Sequence, residues 1–274
     1  MATKTTKTAG KAAAKKAPVK KVPAKAAAKP VAKAPAKPVP RAPAKPAARP
    51  LPKPARGGKT TLTISSKNYS SWSMRGWLMA RFAGLDFEEV MLSPKDAATR
   101  AEILLLSPSF LVPRLTHGDV KVWDTLAIAE YLDERLPNAG LLPADLAARA
   151  MCRSVCGEMH SGFSAMRAAL PMNLKGHFPK FKVWSRAQAD IDRIIEIWKL
   201  CLSTYGGPYL FGKKTTMADA MYAPVVTRFL TYNVQLDEDC AQYCKTIMAL
   251  PDVKEWVADA KKEPDDIDEL DVEF

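Results

Sequence analysis

The chain has 274 residues, with 41 Lys and Arg against 29 Asp and Glu and a formal net charge of +12 at pH 7. That charge is unevenly placed: residues 1–59 hold 17 of the cations and no carboxylate, which leaves 24 cations against 29 carboxylates, a net −5, for residues 60–274. No apolar run approaches the ~20 residues of a membrane-spanning helix, no apolar signal core develops, and the five cysteines fall at helical spacings, so the expectation is a soluble cytoplasmic protein without disulfides or a membrane partner.

Residues 1–58 cycle through units such as Pro23-Ala-Lys25 and Pro43-Ala-Lys-Pro46, with almost no large apolar side chain to bury. Frequent proline and repelling lysines predict an extended ensemble. The composition resembles the tails of linker histones and bacterial histone-like proteins. A lysine string of this kind gains affinity for nucleic acid or another polyanion by releasing condensed counterions. With no aromatic residues interleaved, stacking on bases is not expected. Solubilisation of the remainder is the plainer alternative. At the other end, Glu263–Phe274 carries seven carboxylates and no cation, an acidic tail.

A strand, helix, strand unit opens the body, over residues 60–138. Thr60-Thr-Leu-Thr-Ile-Ser65 alternates and is β-branched, which predicts a strand. The stretch Asn68-Tyr-Ser-Ser-Trp-Ser-Met-Arg-Gly-Trp77 follows and leads into a helix over Trp72–Ala83, ended by Gly84. Three serines within four residues at a helix start can cap backbone N–H groups, and they can also face an anion held by the helix dipole. Phe87–Leu92 reads as a second strand parallel to the first, and Pro94–Leu106 as a helix. Then come Val112-Pro113, the likeliest place for a cis bond, a hairpin turning at Thr116-His-Gly-Asp119, and a helix from Asp124-Thr125 through Leu132, with either residue as its cap.

Residues 145–262 read as all-helical. Asp145–Leu170 and Phe181–Tyr205 predict long helices, the second ended by Gly206-Gly-Pro208. Thr216 and Asp219 stand in capping-box relation before a helix that carries Pro224 in its interior, where a kink is expected. Shorter helices over Glu238–Ala249 and Pro251–Lys261 complete a bundle. Cys152, Cys156 and His160 share a helical face without a fourth ligand or a tight loop, so a buried stripe is expected and no metal site; Cys240 and Cys244 read alike.

In order and spacing, these elements resemble the glutathione transferases over residues 60–262. The match is carried by the serine turn, Val112-Pro113, Asp124-Thr125-Leu-Ala-Ile-Ala-Glu-Tyr-Leu132 and Thr216-Met-Ala-Asp219. The resemblance implies an α/β plus all-α architecture, a thioredoxin-like domain followed by a helical bundle. It implies a glutathione site in which Val112 pairs through its backbone with the cysteinyl part beside Pro113, while Asp124 and Thr125 hold the γ-glutamyl end. Members usually have Glu-Ser there, so Asp-Thr shortens the acidic arm. Ser70-Ser-Trp-Ser-Met-Arg75 is similar to the Ser-Ser-Cys-Ser-Trp-Arg segment of zeta-class members, which makes Ser70 first and Ser71 second as the hydroxyl facing the sulfur. Ser73 and Tyr69 are rival donors, and Trp72 stands at the zeta cysteine. Glu158–Phe163 is similar to a segment of bacterial transferases, and Met159, His160 and Phe163 read equally as core and as cleft wall.

The resulting expectation is a dimeric glutathione transferase that activates glutathione as thiolate and conjugates it to an apolar electrophile. The alternatives are a glutathione-dependent isomerase or reductase, and a non-catalytic binding protein of the same fold tethered to polyanions by its tail.

Overall fold

The computed structural model describes residues 59–92, 111–136 and 138–264. Residues 1–58, the helix expected over Pro94–Leu106 and the acidic segment beyond Pro264 lie outside them.

Four strands form a mixed sheet in the order β2-β1-β3-β4: β1 (Thr60–Ile64), β2 (Glu88–Met91), β3 (Arg114–His117) and β4 (Val120–Trp123). β1 runs parallel to β2, in register from Thr61 opposite Glu88 to Ile64 opposite Met91, and antiparallel to β3. β3 and β4 are the predicted hairpin, turning through Gly118 at φ 62°. The alternation in β1 sends Leu62 and Ile64 into the core together with Leu115 of β3.

Helix α1 (Ser71–Phe82) links β1 to β2 and packs on α2 (Thr125–Arg135) beside the sheet. Met74, Trp77 and Leu78 form its buried stripe, and Gly84, at φ 70°, lets the Leu85 N–H reach back to Ala80 O to close the helix. Gly76 is required by close approach. A Cβ there would lie 2.4 Å from Pro113 Cγ, so the absence of a side chain is what lets α1 lie against the Val112-Pro113 turn, whose peptide bond is cis as the sequence predicts.

The remaining helices are α3 (Leu146–Ser161), α4 (Ser164–Ala169), α5 (Ser185–Tyr205), α6 (Met217–Thr231), α7 (Glu238–Ala249) and α8 (Pro251–Ala260). α6 is buried on nearly every side and packs against α1, α3 and α7, which makes it the axis of the bundle. It runs through Pro224 as one helix. The predicted capping box is present, with Asp219 Oδ2 accepting from Thr216 N–H at 2.8 Å and Oγ1 at 3.1 Å.

Two expected helix limits are corrected. The single helix over Asp145–Leu170 is broken at Gly162 (φ −107°, ψ −168°) and Phe163, which adopts a left-handed φ of 60°. A Cβ at Gly162 would sit 2.7 Å from Glu158 O, and the restarted helix α4 takes its cap from Asp190 on α5, whose Oδ2 accepts from Met166 N–H. That cap lies 24 residues away in the chain, so no local signal marks the restart. α5 begins at Ser185 rather than Phe181. The preceding residues instead form a loop whose Phe178 and Phe181 pack on Tyr232, with ring centroids 5.3 and 5.0 Å away.

α8 returns to the sheet and seats Trp256 on Trp77, 5.4 Å between centroids. Each ring, wholly buried, contributes roughly 4–6 kcal/mol of apolar burial. The half-exposed ion pairs of Arg81 with Asp252 and Glu255 across the same contact add ~0–1 kcal/mol each. Apolar packing therefore holds this junction.

Candidate functional site

The turn between β1 and α1 is built by its own hydroxyls. Ser66 O accepts from Ser70 N–H at 3.0 Å, and Ser66 Oγ accepts from Asn68 and Tyr69 N–H, both at 3.2 Å. Ser70 is the N-cap of α1, its Oγ accepting from Ser73 N–H at 3.3 Å. Ser73, wholly buried, accepts the Ser70 hydroxyl at 3.0 Å and Ser65 N–H at 3.0 Å. Ser71 is 1% exposed, and its hydroxyl accepts from Arg75 Nη1 at 3.1 Å. Of the four candidate donors, Ser73 and Ser71 face inward, while Ser70 and Tyr69 remain half-exposed at the positive end of α1.

Val112 lies just past the β1–β3 ladder, whose last register pair is Thr63 with Arg114. Asp124 caps α2, Oδ1 accepting from Leu126 N–H at 2.8 Å and Ala127 N–H at 3.4 Å, so it is Asp124 and not Thr125 that serves as the cap. Its backbone is strained, at φ 75° and ψ 136°, a region costly for a residue with a Cβ. Thr125 beside it is 1% exposed, and its hydroxyl is buried without a hydrogen-bond partner among the described residues. Strained backbone and an orphaned hydroxyl at one helix start mark a place where something other than the fold sets the geometry.

The helical bundle supplies the facing wall. His160, in the last turn of α3, reaches across to Asp124, its Nε2 2.5 Å from Oδ2. Its ring also packs on Trp72, 5.1 Å between centroids. Trp72 lies between two guanidinium groups, Arg75 at 4.6 Å and Arg167 at 4.7 Å from its ring. Arg75 is itself buried, with Nε donating to Met221 O at 2.9 Å and Nη2 to Met159 Sδ at 3.4 Å. Arg167 donates to Met159 O as well. His160 stays partly exposed beside Asp124 and Trp72, while Met159 and Phe163 are buried as core. Sequence reasoning gave Arg75 and Arg167 no role. The Arg within the serine motif was a visible signal for the first; nothing marked the second.

The buried cysteines take no part: burial pushes the Cys201, Cys240 and Cys244 thiols up to about 12 and Cys156 well above its usual range. Among the described residues no cluster of three His, Cys, Asp or Glu is placed to hold a metal. No helix among them is long and apolar enough to cross a membrane.

Chemically, the arrangement offers a hydroxyl at a helix N-terminus for an anion, a carboxylate for a cation, and a second helix start with an unused hydroxyl for a carboxylate. The distribution suits a zwitterionic ligand. Comparison with known proteins identifies the family. The model described as glutathione S-transferase, N-terminal domain, matches residues 69–135, and that described as glutathione S-transferase, C-terminal domain, matches residues 181–259. Glutathione S-transferase 1 of Dianthus caryophyllus is 28% identical over 172 residues, covering 62% of this chain and 78% of that one. A probable maleylacetoacetate isomerase 2 of Drosophila melanogaster is 30% identical over 167 residues, covering 61% and 72%. Among solved structures, a glutathione transferase homolog from Burkholderia gl BGR1 with bound glutathione shares the fold at a TM-score of 0.58 and 24% identity, covering 75% of this chain and 100% of that one. The chain belongs to the glutathione S-transferase family.

Proposed function

We propose that this chain is a glutathione transferase, with residues 60–138 as its glutathione-binding domain and residues 145–262 as the helical domain against which the electrophile lies. The tripeptide would bind with its cysteinyl part on the Val112 backbone beside Pro113. Its γ-glutamyl end would meet Asp124 and Thr125, the carboxylate facing the ammonium and the hydroxyl facing the carboxylate. The observation that carries this reading is the α2 start, where a strained Asp124 and a buried Thr125 hydroxyl without a partner among the described residues are joined through His160 to Trp72 of the serine stretch. Ser70 is the proposed donor to the sulfur, because it is half-exposed at the α1 N-terminus while Ser71 is buried; the Ser70 proton, given to Ser73 Oγ in the free protein, would turn to the sulfur on binding. A hydroxyl and a helix dipole both favour thiolate over thiol, and the thiolate is the nucleophile. It would attack an apolar electrophile lying beside Trp72.

The test is glutathione binding by calorimetry together with conjugation to an aromatic halide, in wild type, Ser70→Ala and Ser71→Ala. Turnover that falls in Ser70→Ala with binding retained supports the reading. Binding without turnover in wild type leaves a binding protein of this fold, and absence of both removes the proposal.

A second reading, a glutathione-dependent isomerase, is favoured by the relative named as a maleylacetoacetate isomerase and by the half-exposed Arg167 guanidinium beside Trp72. Isomerisation of a cis-enone diacid exceeding conjugation would establish it. For residues 1–58 the proposal is polyanion binding, from 17 cations up to Lys59 without a carboxylate. Equal heparin retention by chains with and without residues 1–58 would end that idea. Homodimerisation is proposed by analogy with the family, and a monomer mass in solution would exclude it.

A further inference from the structure

We infer that Glu263 is a positioning residue for the serine turn, holding the proposed sulfur-facing hydroxyl in place from the end of the helical bundle; this rests on the glutathione reading above. Glu263 follows α8 and places its carboxylate over the backbone of the turn that precedes Ser70. Oε1 accepts from Lys67 N–H at 2.6 Å. Oε2 accepts from Ser66 Oγ at 2.6 Å and from Asn68 N–H at 3.1 Å. A carboxylate that takes two successive backbone N–H groups and a hydroxyl forms charge-assisted bonds, the stronger kind, at a site where a neutral residue could not satisfy all three donors.

The contact passes inward through Ser66. Because the Ser66 hydroxyl gives its proton to Glu263, its lone pairs are free to accept from Asn68 and Tyr69 N–H, and Ser66 O accepts from Ser70 N–H. The carboxylate thus sets the direction of the Ser66 hydroxyl, and the same residue's backbone carbonyl holds Ser70 N–H. The same turn is gripped from other sides. Lys67 is 6% exposed, pairs with Glu89 at 2.7 Å and Asp259 at 2.9 Å, and lies over the rings of Trp77 and Trp256. Burial works against the Lys67 charge, and the two carboxylates outweigh it, raising the ammonium above the ordinary lysine range. Trp256 Nε1 donates to Lys67 O at 2.9 Å, and Asn68 Oδ1 accepts from Leu174 and Lys175 N–H at 2.8 and 3.1 Å. Lys175 Nζ donates to Glu263 O, which fixes Glu263 itself. Of these contacts, only that of Glu263 orients the hydroxyl that accepts from Tyr69 N–H, on the residue whose carbonyl accepts from Ser70 N–H. A misplacement of ~1 Å at a reacting group costs ~10²-fold in rate, so a device that fixes this turn bears directly on thiolate formation.

The experiment compares wild type, Glu263→Gln, Glu263→Asp and Arg81→Ala in the full chain. Gln keeps the shape but offers one acceptor oxygen and turns an NH2 group on the other donors. Arg81→Ala removes another tether between α1 and α8, at the end away from the turn, and controls for general loosening. The first readout, amide hydrogen exchange of the free protein, needs no glutathione. Tyr69 and Ser70 N–H do not bond to Glu263, so their exchange reports the turn. In Glu263→Gln it accelerates by about tenfold or more, while in Arg81→Ala it stays as in wild type. The second readout is the ultraviolet titration of bound glutathione. Its thiol pKa rises by about one unit in Glu263→Gln and kcat falls about tenfold, with the glutathione KM within ~threefold of wild type and partial recovery in Glu263→Asp. Unchanged exchange at Tyr69 and Ser70 overturns the inference. Accelerated exchange with an unshifted thiol pKa also overturns it, since the turn would then be held for folding alone. If wild type binds no glutathione but the exchange pattern is as expected, the proposed function fails and the clamp on the turn stands.

Discussion

Replacing Gly76 by alanine sets two physical effects against each other. Gly76 lies inside α1, where helix propensity alone favours alanine by about 1 kcal/mol. Its Cβ, however, would stand 2.4 Å from Pro113 Cγ and 2.5 Å from Pro113 Cβ. Carbon atoms in contact sit at about 3.5–4.0 Å, so helix and turn must part by roughly 1 Å. A proline ring has no rotamer by which to swing aside, and overpacking of this order costs about 1–3 kcal/mol. The net expectation is a loss of up to about 2 kcal/mol, read as a lower urea midpoint at constant slope. Gly157 provides the matched control: it lies inside α3, and a Cβ there meets nothing within 4 Å. Gly157→Ala should therefore gain about 0.5–1 kcal/mol. Because the shift at Gly76 also displaces Val112, the glutathione KM should rise in Gly76→Ala and stay constant in Gly157→Ala. If Gly76→Ala is as stable as wild type with an unchanged KM, the contact between α1 and the Val112-Pro113 turn does not set the site.

Asp219 accepts from Leu210 N–H, Thr216 N–H and Oγ1, and Tyr243 Oη, and its burial raises the carboxyl to about 6. A raised carboxyl contributes stability below the unfolded value near 3.9 and loses it as pH climbs through 6, so the stability difference between wild type and Asp219→Asn should shrink by about 2 kcal/mol from pH 4 to pH 7. Calorimetric melts at both pH values check this, and a constant difference refutes it. His160→Ala removes the partner of Asp124 Oδ2, a hydrogen bond of about 1 kcal/mol net, and should raise the glutathione KM ~5-fold with a smaller change in kcat. Steady-state kinetics at varied glutathione test it, an unchanged KM counting against the role. Thr125→Val removes a buried hydroxyl that has no partner among the described residues, so stability should hold or rise by about 1 kcal/mol while glutathione affinity falls. A stability loss of that size would mean the hydroxyl serves the fold.

What the sequence made legible was local. The alternation of Thr60–Ile64, the glycine that ends α1, the capping box of Thr216 and Asp219 and the proline of the cis bond each act within a few residues of where they are written. The breaks it did not show have distant causes. Phe163 turns left-handed because the next helix is capped by Asp190, and Phe181 stays out of α5 because Tyr232 holds it. The site divides in the same way. The serine turn and the Asp124 start of α2 could be placed from short motifs. His160 meets Asp124 across 36 residues and Glu263 meets the turn across 196, and neither pairing leaves a trace in spacing or composition.

That division bears on which properties a member of this family can alter independently. The parts proposed to hold glutathione are largely backbone: a helix N-terminus, a cis turn packed on a glycine, and a strained residue at the start of α2. Such features tolerate side-chain change at neighbouring positions because no single side chain creates them. Position 72 is of the other kind. Tryptophan there, where zeta-class members carry cysteine, is fixed by two guanidiniums and an imidazole, and cation–π contacts of ~0.5–2 kcal/mol each keep the ring from yielding to a ligand. In the proposed reaction an electrophile approaching the serine turn would thus meet an indole ring held under guanidiniums rather than a second thiol. The backbone can therefore keep the tripeptide while the wall selects the reaction, and a change of chemistry within the family needs no change of fold.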